Sequence, residues 1–91
     1  MQLTNYMEKI VVDKLDNVLT MFPNVCTCDE CKQDIANLAL NHLPPRYTSS
    51  EKGAIFLNVE AQNNQYDAMV VQEIIRSIGI ISQNPRHPKQ Q

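Results

Sequence analysis

Ninety-one residues, 43% of them apolar, with two glycines and no tryptophan, bury only a modest core, so a metal, a disulfide or a partner chain is expected to supplement it. Eight basic against ten acidic residues give a net charge of −2, and the absence of any dense Lys or Arg run excludes non-specific nucleic-acid binding, whose affinity comes from neutralising phosphates. No apolar run reaches the roughly 20 residues that span a bilayer, and "MQLTNYMEKIVV" lacks a secretory pattern, so a cytoplasmic protein with reduced thiols is expected.

Aromatic residues are few, which leaves Ile, Leu, Val and Met to build the core, and scarce glycine favours helices over a many-turned β fold. In "NYMEKIVVDKLDNVLTMF", residues 5–22, the apolar side chains Met7, Ile10, Val11, Leu15, Val18, Leu19 and Phe22 recur at spacings of three and four. Lys9, Asp13, Lys14 and Asp16 fall on the other side, which predicts an amphipathic helix. Asn5 followed by Glu8 gives it a capping arrangement, and Pro23 ends it.

A second helix opens at the cysteines. Thr27 and Glu30 have the spacing of a capping box, placing the helix start near Cys28. Ile35, Leu38, Ala39 and His42 share one flank, Cys31, Ala36, Leu40 and Leu43 broaden it, and Pro44 and Pro45 stop the pattern. "RYTSSEKG", residues 46–53, reads as a polar surface loop. "AIFLNVE", residues 54–60, is ambiguous between a short extended piece and a helical start.

From about Gln62 to Ser82 the helical period returns, with Tyr66, Met69, Val70, Ile74, Ile78 and Ile81 as one stripe. Val71, Ile75 and Ile80 lie off that stripe, so this helix is apolar around much of its circumference. A surface so wide predicts either a central core helix or, the sharper reading, packing against a second copy of the chain. Residues 83–91 form a polar tail with two prolines. The expected architecture is all-α: one domain over 1–91 with three to four helices, assembled as a symmetric homodimer.

All three cysteines fall within six positions as Cys26-x-Cys28-x-x-Cys31. Residues 28 and 31 are one turn apart at a helix start, so their sulfurs converge, and Cys26 can fold back onto the same point. First-turn amides and the positive end of the helix dipole favour thiolates there. Zinc is the expected occupant, since it takes sulfur ligands in a tetrahedron at about 2.3 Å. For the fourth corner His42 is poorly placed, roughly 16 Å along the same helix from Cys31; His87, in the proline-stiffened tail, is the better candidate. The alternatives are a redox-active Cys28-x-x-Cys31 pair, disfavoured because no βαβ pattern precedes it, and ordinary unliganded cysteines. Asp29 and Glu30 read as first-turn acids stabilised by the dipole.

The run "CTCDECKQDIANLALNHLPPRY", preceded by "NYMEKIVVDKLDNVL", resembles the late competence development protein ComFB family. The likeness spans most of the chain from Asn5, and its most specific part is the cysteine motif followed by Ala39-Leu40-Asn41 and Leu43-Pro44-Pro45-Arg46-Tyr47. It implies a small, mostly helical, non-catalytic protein that forms a symmetric dimer. The resemblance further implies that members of the cysteine-bearing branch hold zinc, in some cases with a fourth cysteine in the tail; that cysteine is missing here. Other branches are implied to bind cyclic dinucleotides, notably cyclic di-GMP, and to act on competence, pili or motility through a protein partner.

For such a ligand Arg46 offers bidentate contacts to phosphate or guanine and Tyr47 a stacking ring. Arg76 and Arg86 join them if dimerisation brings copies together. The plainer reading is that Arg46 and Tyr47 anchor the loop after the second helix. No phosphate-cradling Gly-rich loop and no Ser/His/Asp set is present, so an enzyme is not expected. The readings that follow are a regulatory receptor, a purely structural or adaptor protein with zinc as its only ligand, and, last, a thiol oxidoreductase.

Overall fold

The computed structural model describes residues 3–49, 52, 53, 55 and 64–83. In chain order its elements are β1 (Thr4–Asn5), α1 (Tyr6–Leu19), α2 (Asp29–Asn41), β2 (Tyr47–Thr48) and α3 (Asn64–Gln83). The fold is mostly helical, with a small sheet that an all-α expectation omits. The ambiguous 54–60 segment, apart from Ile55, lies outside the described residues, as does the tail beyond Gln83.

α1 begins where Asn5, in an extended conformation, accepts a hydrogen bond from the amide of Met7 at 3.2 Å. It ends at Leu19, earlier than the apolar period suggests. Met21 and Phe22 instead donate to the carbonyls of Val18 and Leu19, both at 3.0 Å, a tightened last turn leading into Pro23, which disfavours helix in the residue before it. Phe22 still packs on the core from that turn.

β1 and β2 pair antiparallel with Thr4 opposite Thr48 and Asn5 opposite Tyr47. Each strand is two residues long, too short for an alternating pattern to reveal. Part of "RYTSSEKG" is therefore paired rather than free loop, because the chain leaving Pro45 is fastened to the start of α1: the Tyr6 amide donates to the Arg46 carbonyl, and the Arg46 amide donates to Asn5 Oδ1 at 2.8 Å.

The three helices meet in one apolar core. α1 contributes the predicted stripe centred on Met7, Val11 and Leu15; α2 contributes Cys31, Ile35 and Ala39, continued by Leu43 just beyond its end; α3 contributes Val70, Ile74 and Ile78. The α2 row runs at intervals of four, which turns His42 out to solvent and leaves Leu38 half-buried. In α3 the row also takes in Ser77, fully buried, while Met69, part of the expected stripe, is exposed. Each fully buried Ile, Val or Met contributes about 1.5–3 kcal/mol, so the contact of all three helices carries most of the fold. Lys14 of α1 pairs with Asp67 of α3, and Lys32 of α2 with Asp16 of α1 at 3.0 Å. The first pair is part-buried and the second exposed; an exposed pair adds about 0–1 kcal/mol. Among the described residues no helix is long and apolar enough to cross a membrane.

Candidate metal centre

The cysteine cluster sits where the turn after α1 enters α2. Val25 ends that turn, donating to the Phe22 carbonyl at 3.2 Å and packing on the core, so Cys26 enters from a fixed point. The residue that caps α2 is Cys28, not Thr27. Cys28 holds the extended conformation (φ −66°, ψ 164°), its carbonyl takes the first helical bond from Lys32 at 2.9 Å, and its Sγ accepts from the Cys31 amide at 3.5 Å. Helix geometry starts one residue later than the Thr27–Glu30 spacing suggests, and Thr27 is left exposed. A thiol therefore does the work usually given to a hydroxyl or carboxamide oxygen.

Cys31, one turn on, is 1% exposed and heads the buried row of α2. Cys26 and Cys28 are half-buried. The three Sγ atoms lie within 4.8 Å of one another, about an ångström wider than the ~3.8 Å edge of a tetrahedron with 2.3 Å metal–sulfur bonds. The cluster is thus placed as a ligand set needing only a small closure. Among the described residues no fourth histidine, cysteine or carboxylate joins it.

Burial, first, and then the hydrogen bonds and charges of Cys26 and Cys28 push the Cys31 thiol up to about 12. The helix dipole, expected to favour thiolates, is outweighed at this residue, since holding a charge away from water costs more than a helix terminus returns. A cation placed among the sulfurs would supply the missing counter-charge, which would couple ion binding to loss of thiol protons.

His42 takes no part, as its distance along α2 predicts: Nδ1 lies 3.1 Å from the Leu38 carbonyl and 4.0 Å from Glu73 Oε1. His87 and Arg86 lie outside the described residues. The remaining residues considered for a nucleotide are not gathered in one chain. Arg46 is half-buried with its guanidinium 5.1 Å from the centroid of the Tyr66 ring, a cation–π contact, while Tyr47 is 63% exposed on β2. Arg76 is exposed and reaches Glu73 Oε1 at 3.3 Å. Tyr66 and Arg76 are ten residues apart on α3, about 15 Å along its axis, so Arg46 and Arg76 do not converge within one protomer. Tyr66 is legible in the sequence only as part of an apolar stripe; its partnership with Arg46 is a tertiary fact that no spacing signals.

A small, mostly helical domain whose α2 is capped by a three-thiol cluster defines the class. The model of the family described as "Late competence development protein ComFB" matches residues 4–85, and this chain belongs to that family. Its relative "Competence protein ComFB" of Bacillus subtilis (strain 168) is 25% identical over 83 residues, covering 91% of this chain and 85% of that protein. The solved structure of the late competence protein ComFB from Bacillus subtilis superposes with a TM-score of 0.86 at 24% identity, covering 99% of each chain. That likeness concerns the fold.

Proposed function

We propose that this chain is a non-enzymatic regulatory binding protein of the competence system, stabilised by zinc and working as a cytoplasmic homodimer. The observation that carries the reading is the convergence of Cys26, Cys28 and Cys31 to within 4.8 Å at the cap of α2. Zinc suits three thiolates, and His87 is the proposed fourth ligand. The ion joins the turn after α1 to the start of α2 and so fixes the angle between the two helices. Ile75 and Ile80, 37% and 41% exposed on α3, support the homodimer, since a second copy covers them.

The proposed messenger is a cyclic dinucleotide, cyclic di-GMP first, taken up where two copies meet, with the signal passed to a protein partner. The exposed ring of Tyr47 beside Arg46 favours this reading over a purely structural adaptor. Stacking on that ring needs no rearrangement, whereas Arg46 must leave Tyr66 to reach a phosphate.

Elemental analysis of protein purified without added metal is expected to give one zinc per chain, and the His87→Ala variant to hold it more weakly. Zinc affinity unchanged by that variant removes the imidazole from the ligand set. Calorimetric titration with cyclic di-GMP and cyclic di-AMP separates receptor from adaptor: absence of both heat and melting shift leaves the adaptor.

A further inference from the structure

We infer that the cluster of Cys26, Cys28 and Cys31 is a three-coordinate site for a trivalent thiophilic ion of the arsenite and antimonite class. The inference rests on these three residues acting as one ligand set, as in the reading above, and not on the set holding zinc.

Three facts lead to it. The chain has three cysteines in all, and their sulfurs stand within 4.8 Å of one another with no fourth donor among the described residues. Zinc in a structural site asks for a fourth ligand, which a residue outside the described ones, such as His87, would have to add; a trivalent arsenic centre, with a lone pair in place of a fourth bond, is complete with these three. Burial is also graded across the cluster: Cys31 is sealed in the core and Cys26 and Cys28 are half-buried. A pyramidal centre resting on these sulfurs can turn its bare apex toward the open side.

The third fact is charge. Three thiolates around a divalent ion keep one net negative charge, and around a trivalent one they keep none. Next to a sulfur that is 1% exposed, a neutral complex avoids the cost of holding charge away from water. The reaction is a condensation without redox change. Arsenous acid, As(OH)3, exchanges its three As–O bonds for three As–S bonds, and each departing hydroxide leaves with one thiol proton, giving three waters. Soft thiolate sets select soft acceptors, and this set is gathered on one side of a helix cap before the ligand arrives.

The test titrates the reduced, metal-free full chain with sodium arsenite, reading intact mass, the number of thiols still open to a thiol reagent, and the melting temperature. One arsenic per chain, closure of all three thiols and a raised melting temperature are expected, since an ion bound only to the folded state stabilises it. The Cys26→Ser variant, altered outside α2, is expected to bind about tenfold or more weakly, because a third thiol held nearby acts at high effective concentration. An adduct that leaves one thiol open, affinity unchanged in Cys26→Ser, or an unmoved melting temperature overturns the inference. Zinc is titrated in parallel. Zinc uptake with two-thiol arsenite capture sinks this inference alone, three-thiol capture without zinc uptake sinks only zinc as the resident ion, and failure of both removes the ligand set itself.

Discussion

Asn5 Oδ1 accepts the backbone amide of Arg46, 41 residues further on, at 2.8 Å, while the same side chain accepts from the amide of Met7 at 3.2 Å. One carboxamide oxygen therefore caps α1 and fastens the chain that leaves α2, fixing the small β1–β2 pairing beside it. Loss of an N-cap costs about 0.5–2 kcal/mol, and a part-buried amide left unsatisfied costs about 1–3 kcal/mol. Asn5→Ala is expected to lower the unfolding free energy by about 2 kcal/mol or more, seen as a lower urea midpoint at unchanged slope. Asn5→Asp keeps both acceptor roles and should lose far less. Equal losses in the two variants contradict the double role.

The reach of the sequence is clear from this residue. The period of three and four located α1 and α3, and Asn5 was legible as a cap, because capping and amphipathicity are local rules. The second bond of Asn5, to Arg46, depends on how the chain returns after Pro45, which no local pattern encodes. The β1–β2 ribbon was illegible for the same reason. At the cysteine cluster the convergence of three thiols followed from their spacing, but the identity of the cap did not. Thr27 is the better capping residue by type, yet Cys28 takes the place, its Sγ accepting from the Cys31 amide. Ser77 lies three residues after Ile74 and seven after Val70, on the buried row by helical period, but its polar side chain hides it from an apolar pattern.

Ser77 offers a direct check on that row. Its side chain is fully buried and its Oγ has no hydrogen-bond partner among the described residues. A buried hydroxyl without a partner costs about 1–3 kcal/mol, while the volume lost on truncation to a methyl is small. Ser77→Ala should leave stability unchanged or raise it by about 1 kcal/mol, whereas Ile74→Ala, one turn earlier in the same row, should lose about 2–5 kcal/mol. Chemical denaturation of both variants decides; a loss above about 1 kcal/mol in Ser77→Ala shows that the hydroxyl is bonded after all.

Gly79 tests the homodimer. It sits in the interior of α3, and a Cβ placed there meets nothing within 4 Å, so the packing of a single protomer does not call for glycine. In a lone helix this glycine costs about 1 kcal/mol relative to alanine. Ile75 lies one turn away on the same side, exposed. If a second copy covers this face, the bare backbone lets the two helices approach closely. Gly79→Trp is then expected to shift the chain toward monomer by light scattering while each protomer keeps its helical content. A dimer that persists unchanged moves the interface elsewhere, and a wild-type chain that scatters as a monomer removes the homodimer.

The pH response of the metal-stripped chain isolates Cys31. Burial, followed by the sulfurs of Cys26 and Cys28, raises its thiol from the ordinary value of 9.0 to about 12. The protonated form is therefore favoured in the folded state. Below about pH 9 both states carry the proton and this contribution is fully present. Between about 9 and 12 the unfolded chain releases the proton while the folded chain keeps it, so stability falls as pH rises, by at most about 1.4 kcal/mol per pH unit for one proton. Lysines and tyrosines titrate in the same range, so the informative quantity is the difference between wild type and Cys31→Ala. After chelation under reducing conditions, melting temperatures between pH 8 and 11 should fall more steeply in wild type than in the variant. If zinc binds as proposed, adding it is expected to reverse the trend below pH 8, because protons compete with the ion for sulfur and its stabilisation grows as pH rises. Parallel slopes for wild type and Cys31→Ala in the stripped state would mean that this thiol is not held neutral by the fold.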